Sequence, residues 1–89
     1  MMLIYDVILT KTAQKLHEKL PSKLREGVDR CLNWLETSPK KGPNIRRLEG
    51  QAGYFRYQVG GWRIVYRVED ETGEVRVYDI RPRGDVYKH

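Results

Sequence analysis

Residues 54–69 read YFRYQVGGWRIVYRVE. Apolar and polar residues alternate on both sides of Gly60-Gly61, the pattern of two antiparallel strands joined by a two-residue hairpin, since glycine adopts positive φ without a steric penalty. With the two glycines as the loop, Val59 opposes Trp62, Gln58 opposes Arg63, Tyr57 opposes Ile64 and Arg56 opposes Val65. Side chains alternate along a strand, so this register sorts the two faces. One face collects Phe55, Tyr57, Val59, Trp62, Ile64, Tyr66 and Val68, joined beyond the turn at 70–73 by Val75 and Val77. The other collects Arg56, Gln58, Arg63, Val65, Arg67, Arg76 and Tyr78. The first face needs cover, and the second is left open.

The cover comes from upstream. Residues 2–9, MLIYDVIL, form an aliphatic and β-branched run that reads as a short, largely buried strand. Thr10 or Thr12 then caps a helix whose Ala13, Leu16 and Leu20 recur at three and four. Pro21 ends that helix or opens the next, which runs from Ser22 to about Ser38 with Leu24, Val28, Cys31, Leu32 and Leu35 on one stripe. SPKKGPN closes it with helix breakers. Past Pro43 the period changes to two, with IRRL at 45–48 as a first short strand, the turn EGQAG, the hairpin, and a last strand at 74–80. The expected fold is therefore α+β. An N-terminal strand and an antiparallel helix pair precede a three- to four-strand antiparallel meander, forming one sheet packed on the helices in a single domain over 1–89.

Charged residues make up 33% of the 89-residue chain, above the roughly 25% of an average domain, and apolar residues 39%. The core is thin, and small domains bury only about 60% of the surface their unfolded chains expose. A single cysteine, Cys31, allows neither an internal disulfide nor a cysteine-based zinc site, and its place on the apolar stripe reads as a buried structural thiol. No apolar run reaches membrane-spanning length and the start MMLIYDVILTK has no charged region ahead of its apolar stretch. A cytoplasmic protein, with no membrane association, is expected. His17 and His89 are far apart and no carboxylates show ligand spacing, so neither a metal nor another cofactor is expected.

The net charge of +5 is unevenly distributed. Lysines concentrate in 11–41, where they solvate helix faces, whereas eight of the ten arginines lie from Arg46 onward among most of the tyrosines. Arginine's planar fork binds phosphate bidentately and stacks on aromatic rings. Arginines on an open sheet face are often merely solvated, and Glu49, Glu69 and Glu74 are available to pair with some of them. Clustered on one face with Tyr78 beside them, they also form a plausible phosphate-binding surface with a ring to stack a base. The tail IRPRGDVYKH adds Arg81, Arg83 and Tyr87 where the last strand ends.

The run from GYFRYQVGGWRIVYRV to PRGDVYK resembles the RelE toxins of type II toxin–antitoxin systems, particularly their archaeal branch. The order of strand, two helices and meander fits as well. The GWRIVY hairpin is shared with the related ParE toxins, so it marks the superfamily more than the activity. The resemblance implies a ribosome-dependent, metal-independent endoribonuclease that cuts mRNA in the ribosomal A site, the ribose 2′-oxygen attacking the adjacent phosphate. Position by position, it places Arg63 on the scissile phosphate and Arg56 at a basic position of the preceding strand. Arg83 would stabilise the growing phosphorane charge, and Tyr87 would stack on a base or move a proton. Gln58, Arg67, Arg76, Tyr78, Arg81 and Lys88 would contact RNA. Some RelE toxins carry two lysines where this chain has Arg56 and Gln58, and neither of these is a useful general base. The implied partners are the ribosome with its mRNA and a cognate antitoxin with an acidic wrapping segment. The competing readings are a ParE-like inhibitor of DNA gyrase and an inactive relative that only binds RNA or antitoxin.

Overall fold

Across the hairpin Val59 pairs with Trp62, Gln58 with Arg63, Tyr57 with Ile64 and Arg56 with Val65, the register that the two glycines set. Of these two, Gly60 alone has positive φ, at +60°, as in turns that need glycine at the first of their two central positions. The computed structural model describes residues 4–82. The elements are β1 (Asp6–Leu9), α1 (Lys11–Glu18), α2 (Ser22–Leu35), β2 (Ile45–Arg47), β3 (Tyr54–Val59), β4 (Trp62–Glu69) and β5 (Glu74–Pro82). The strands form one sheet in the order β1-β5-β4-β3-β2. All neighbours are antiparallel except β1, which runs parallel to β5 at the sheet's edge.

Thr10 is the residue that caps α1, its Oγ1 accepting from the Ala13 amide at 3.2 Å. His17 lies 2.7 Å from Asp29, and the Arg25 guanidinium donates to the carbonyls of Glu18 and Leu20. These contacts tie α2 to the end of α1. Ala13, Val28, Cys31 and Leu35 are buried with Phe55, Trp62, Ile64, Tyr66, Val68, Val75, Val77 and Ile80. The alternation along β4 is complete, every second residue from Trp62 to Val68 being buried. Leu24, expected on the buried stripe, sits in the first turn of α2 and is 37% exposed. The helix also ends at Leu35 rather than near Ser38, because the next residues turn and the Thr37 and Ser38 amides both bond to Trp34 O.

Three strand ends differ from the sequence reading, one of them β2, which closes at Arg47 rather than Leu48. Among the described residues β1 starts at Asp6, Ile4 and Tyr5 lying outside it because the Tyr5 amide is taken by Glu36 O at 2.8 Å, and the expected start at residues 2–3 lies outside the described residues. β5 continues to Pro82 because of a β-bulge. Val65 pairs with Asp79 but Tyr66 pairs with Val77, leaving Tyr78 as the extra residue. Strict alternation after Val77 would turn Asp79 inward and Ile80 outward. The bulge reverses this, burying Ile80 and keeping Tyr78 and Asp79 on the open face.

Polar contacts pin the loops. Tyr66 is fully buried and its hydroxyl donates to Pro39 O at 2.6 Å, so burial that pushes the phenol well above its ordinary pKa also fixes the loop after α2. Asp70 accepts from Tyr5 Oη at 2.9 Å and from Lys40 Nζ at 2.6 Å, tying β1, that loop and the β4–β5 turn together. Lys40 first, and then Tyr5, hold the Asp70 carboxyl below the usual carboxylate range. Replacing Tyr66 by Phe is expected to cost about 1–2 kcal/mol in urea denaturation, the price of a buried carbonyl left without its donor. A change below a few tenths of a kcal/mol would show that water replaces the hydroxyl.

Candidate nucleic-acid interface

The open face of the sheet carries Tyr54, Arg56 and Gln58 from β3, Arg63, Val65 and Arg67 from β4, and Arg76, Tyr78, Asp79 and Arg81 from β5. β2 adds Arg46, directly opposite Arg56. Because the sheet is covered by helices on its other side, the polarity of this face follows from the alternation that builds the core. Arg81 belongs to β5 and stands opposite Arg63, where the sequence reading had placed it in the tail. Arg83, Tyr87 and Lys88 lie outside the described residues.

The face divides into two ends. At the end near the β4–β5 turn, Arg67 pairs with Glu69 at 2.6 Å and Arg76 with Glu74 at 3.0 Å. Glu69 and Glu74 had been expected to serve this way. Arg67 also stacks over Tyr54, 5.7 Å from the ring centroid, and Tyr54 packs against Tyr78 at 5.7 Å. Burial, followed by the Tyr54 hydroxyl, pushes the Tyr78 phenol above its ordinary value, so Tyr78 offers a neutral ring. Exposed ion pairs contribute little stability, but they consume the charge that would otherwise attract an anion.

At the other end, next to the Gly60-Gly61 hairpin, Arg46, Arg56 and Arg63 have no acidic partner among the described residues. Arg63 lies on β4 with Gln58 opposite it on β3 and Arg81 opposite it on β5. Arg81 donates from Nε to Asp79 at 2.6 Å, which leaves its other nitrogens open. Arg56 is the diagonal neighbour of Arg63, their β-carbons roughly 7–8 Å apart or less. The structure thus brings Arg56, Gln58, Arg63 and Arg81 together, and it sets Arg67, Arg76 and Tyr78 apart as a compensated aromatic end. Two residues were missed in the sequence. Tyr54 shares the parity of Arg56, and Arg46 follows from extending the register to IRR, so both signals were present. Arg47, next to it, turns to the other side and lies over Phe55 at 5.6 Å.

Cys31 is buried, and burial pushes its thiol above the ordinary value. Among the described residues no three His, Cys, Asp or Glu side chains come together, and no helix is long and apolar enough to cross a membrane.

The α+β fold, one five-stranded sheet with two helices on one side, is shared with toxins of bacterial and archaeal toxin–antitoxin complexes. The family model described as ParE toxin of type II toxin-antitoxin system, parDE, matches residues 7–87. Toxin RelG of Mycobacterium tuberculosis is 33% identical over 86 residues, covering 94% of this chain and 97% of that protein. The toxin–antitoxin complex RelBE2 from M. tuberculosis aligns with a TM-score of 0.81 at 29% identity, over 96% of this chain and 98% of that one. The archaeal RelE–RelB complex from Pyrococcus horikoshii OT3 aligns with a TM-score of 0.80 over 91% and 97%, and at 24% identity it shares the fold. The chain belongs to the RelE/ParE family of type II toxin–antitoxin toxins.

Proposed function

We propose that the chain, as one toxin domain over 1–89, is a ribosome-dependent endoribonuclease that cuts mRNA in the ribosomal A site without a metal. The observation that carries this reading is the uncompensated arginine cluster at the hairpin end of the open face, with Arg63 at its centre. An unpaired guanidinium beside another, facing outward, has its hydrogen-bond donors available to a phosphate. The similarity to RelG adds weight to the RelE type of activity over the ParE type.

In the reaction, the ribose 2′-oxygen loses its proton and bonds to phosphorus while the bond from phosphorus to the 5′-oxygen breaks. That oxygen takes up a proton, leaving a 2′,3′-cyclic phosphate and a free 5′-hydroxyl. Arg63 would hold the scissile phosphate, with Arg56 beside it. Arg83 would stabilise the charge that grows on the phosphorane, and electrostatic stabilisation of this kind is commonly the largest catalytic contribution. Tyr87 would stack on a base or pass a proton. Gln58, Arg67, Arg76, Tyr78, Arg81 and Lys88 would contact RNA around them. Arg56 and Gln58 make poor bases, so positioning and charge carry most of the rate, with the ribosome arranging the substrate. The cell interior, where ribosomes are, is the expected compartment.

The second proposed partner is an antitoxin. RelBE2 is a toxin–antitoxin complex, and a net charge of +5 would speed capture of an acidic segment. Primer extension on mRNA from a translating extract should reveal cuts within A-site codons that persist when chelator is added and vanish with antitoxin. The matching family model bears the ParE name, which favours gyrase inhibition as the competing reading. Loss of supercoiling activity with no mRNA cuts would establish that reading instead, and no effect on either would mark an inactive relative.

A further inference from the structure

Three pairs of arginines face each other directly across the open face: Arg67 with Arg76, Arg63 with Arg81, and Arg46 with Arg56. Directly opposed β-carbons lie roughly 4.5–5.5 Å apart, where like charges destabilise a sheet. In the first pair each arginine has its own glutamate, and in the second Arg81 has Asp79. In the third neither has an acidic partner among the described residues, although Arg46 sits on a strand of only three residues. A concavity of about 500 Å³ opens there, lined by Arg46, Arg47, Leu48, Glu49 and Arg56 among others. Glu49 is at its rim without coming within ion-pair distance of any of these arginines.

We infer that Arg46 grips a second RNA backbone phosphate, next along a strand that runs from Arg63 past Arg56 toward the β2 edge. This rests on the ribonuclease reading. Two strand spacings and one two-residue step place Arg46 about 12 Å between α-carbons from Arg63, to the β2 side of the residue assigned to the scissile phosphate. Arg56 lies between them, on the strand that joins the two positions. The placement makes Arg46 a binding residue whose loss weakens association and spares the chemical step.

The test is single-turnover cleavage on ribosomes programmed with a short mRNA, comparing the parent chain with Arg46→Gln across a salt series. The variant should need about 3- to 10-fold more toxin for half-saturation at physiological salt while its limiting rate stays within twofold. The logarithmic salt dependence should become shallower by about 0.7, the value of one phosphate contact to a single strand. Arg46→Lys should restore most of that slope. An mRNA with uncharged methylphosphonate linkages near the cut separates the two sources of phosphate. One such linkage erases the difference between parent and variant if the phosphate is the message's, and none does if it is ribosomal RNA's. Unchanged half-saturation and salt slope in Arg46→Gln would overturn the inference. Failure of the parent chain to cut would instead remove the ribonuclease reading, a result seen before any substitution is made.

Discussion

Arg63→Ala is expected to abolish growth arrest on expression and to slow mRNA cleavage by about 10²- to 10³-fold, while the denaturation midpoint stays near that of the parent chain. The magnitude is that of removing one preorganised donor from a developing negative charge, about 2.7–4 kcal/mol of transition-state stabilisation. Stability is spared because Arg63 is on the open face, outside the core and without an ion pair among the described residues. Arg67→Ala provides the contrast within the same strand. Arg67 is already committed to Glu69 and the Tyr54 ring, so its loss should reduce cleavage by less than about tenfold. Equal losses for the two variants would mean that the face acts as a diffuse positive surface with no centre at Arg63.

Leu35→Ala is expected to remove about 2–5 kcal/mol of folding stability, the usual range for a fully buried leucine. A chain of this length has only about 4–13 kcal/mol in total at 0.05–0.15 kcal/mol per residue, so a large part of the margin disappears. Leu35 closes the last turn of α2 over the sheet, and nothing in a thin core is positioned to refill its volume. Urea denaturation gives the loss directly, and a midpoint matching the parent's would show that the helix end is not packed as described. Antitoxin that binds only the folded chain should restore much of the lost stability by mass action.

What the sequence made legible was local. Two adjacent glycines fixed a register that sorted Arg56, Arg63 and the buried residues of β3 and β4, because alternation leaves only one choice once the loop is placed. A cap at Thr10 or Thr12 and most of the apolar stripe of α2 were readable from helical spacing, but not the choice of Thr10 or the exposure of Leu24. The bulge at Tyr78 was hidden, since one extra residue shifts the parity of everything after it and only the apolar Ile80 hints at the change. The ion pairs that separate Arg67 and Arg76 from Arg56 and Arg63 depend on neighbours two positions along the same strand, so they could be guessed but not ranked. The pairing of β1 with β5 joins residues more than sixty positions apart, and nothing in either segment names its partner.

That edge pairing also sets an order of assembly. The meander from β2 to β5 can zip up through successive short-range hairpins, whereas β1 gains its neighbour only after both helices have been laid across the sheet and β5 is in place. β1 therefore leaves synthesis ahead of β2 to β5 and is paired after them. Until then its aliphatic residues wait for their neighbour, and maturation includes the closing of this long-range pairing.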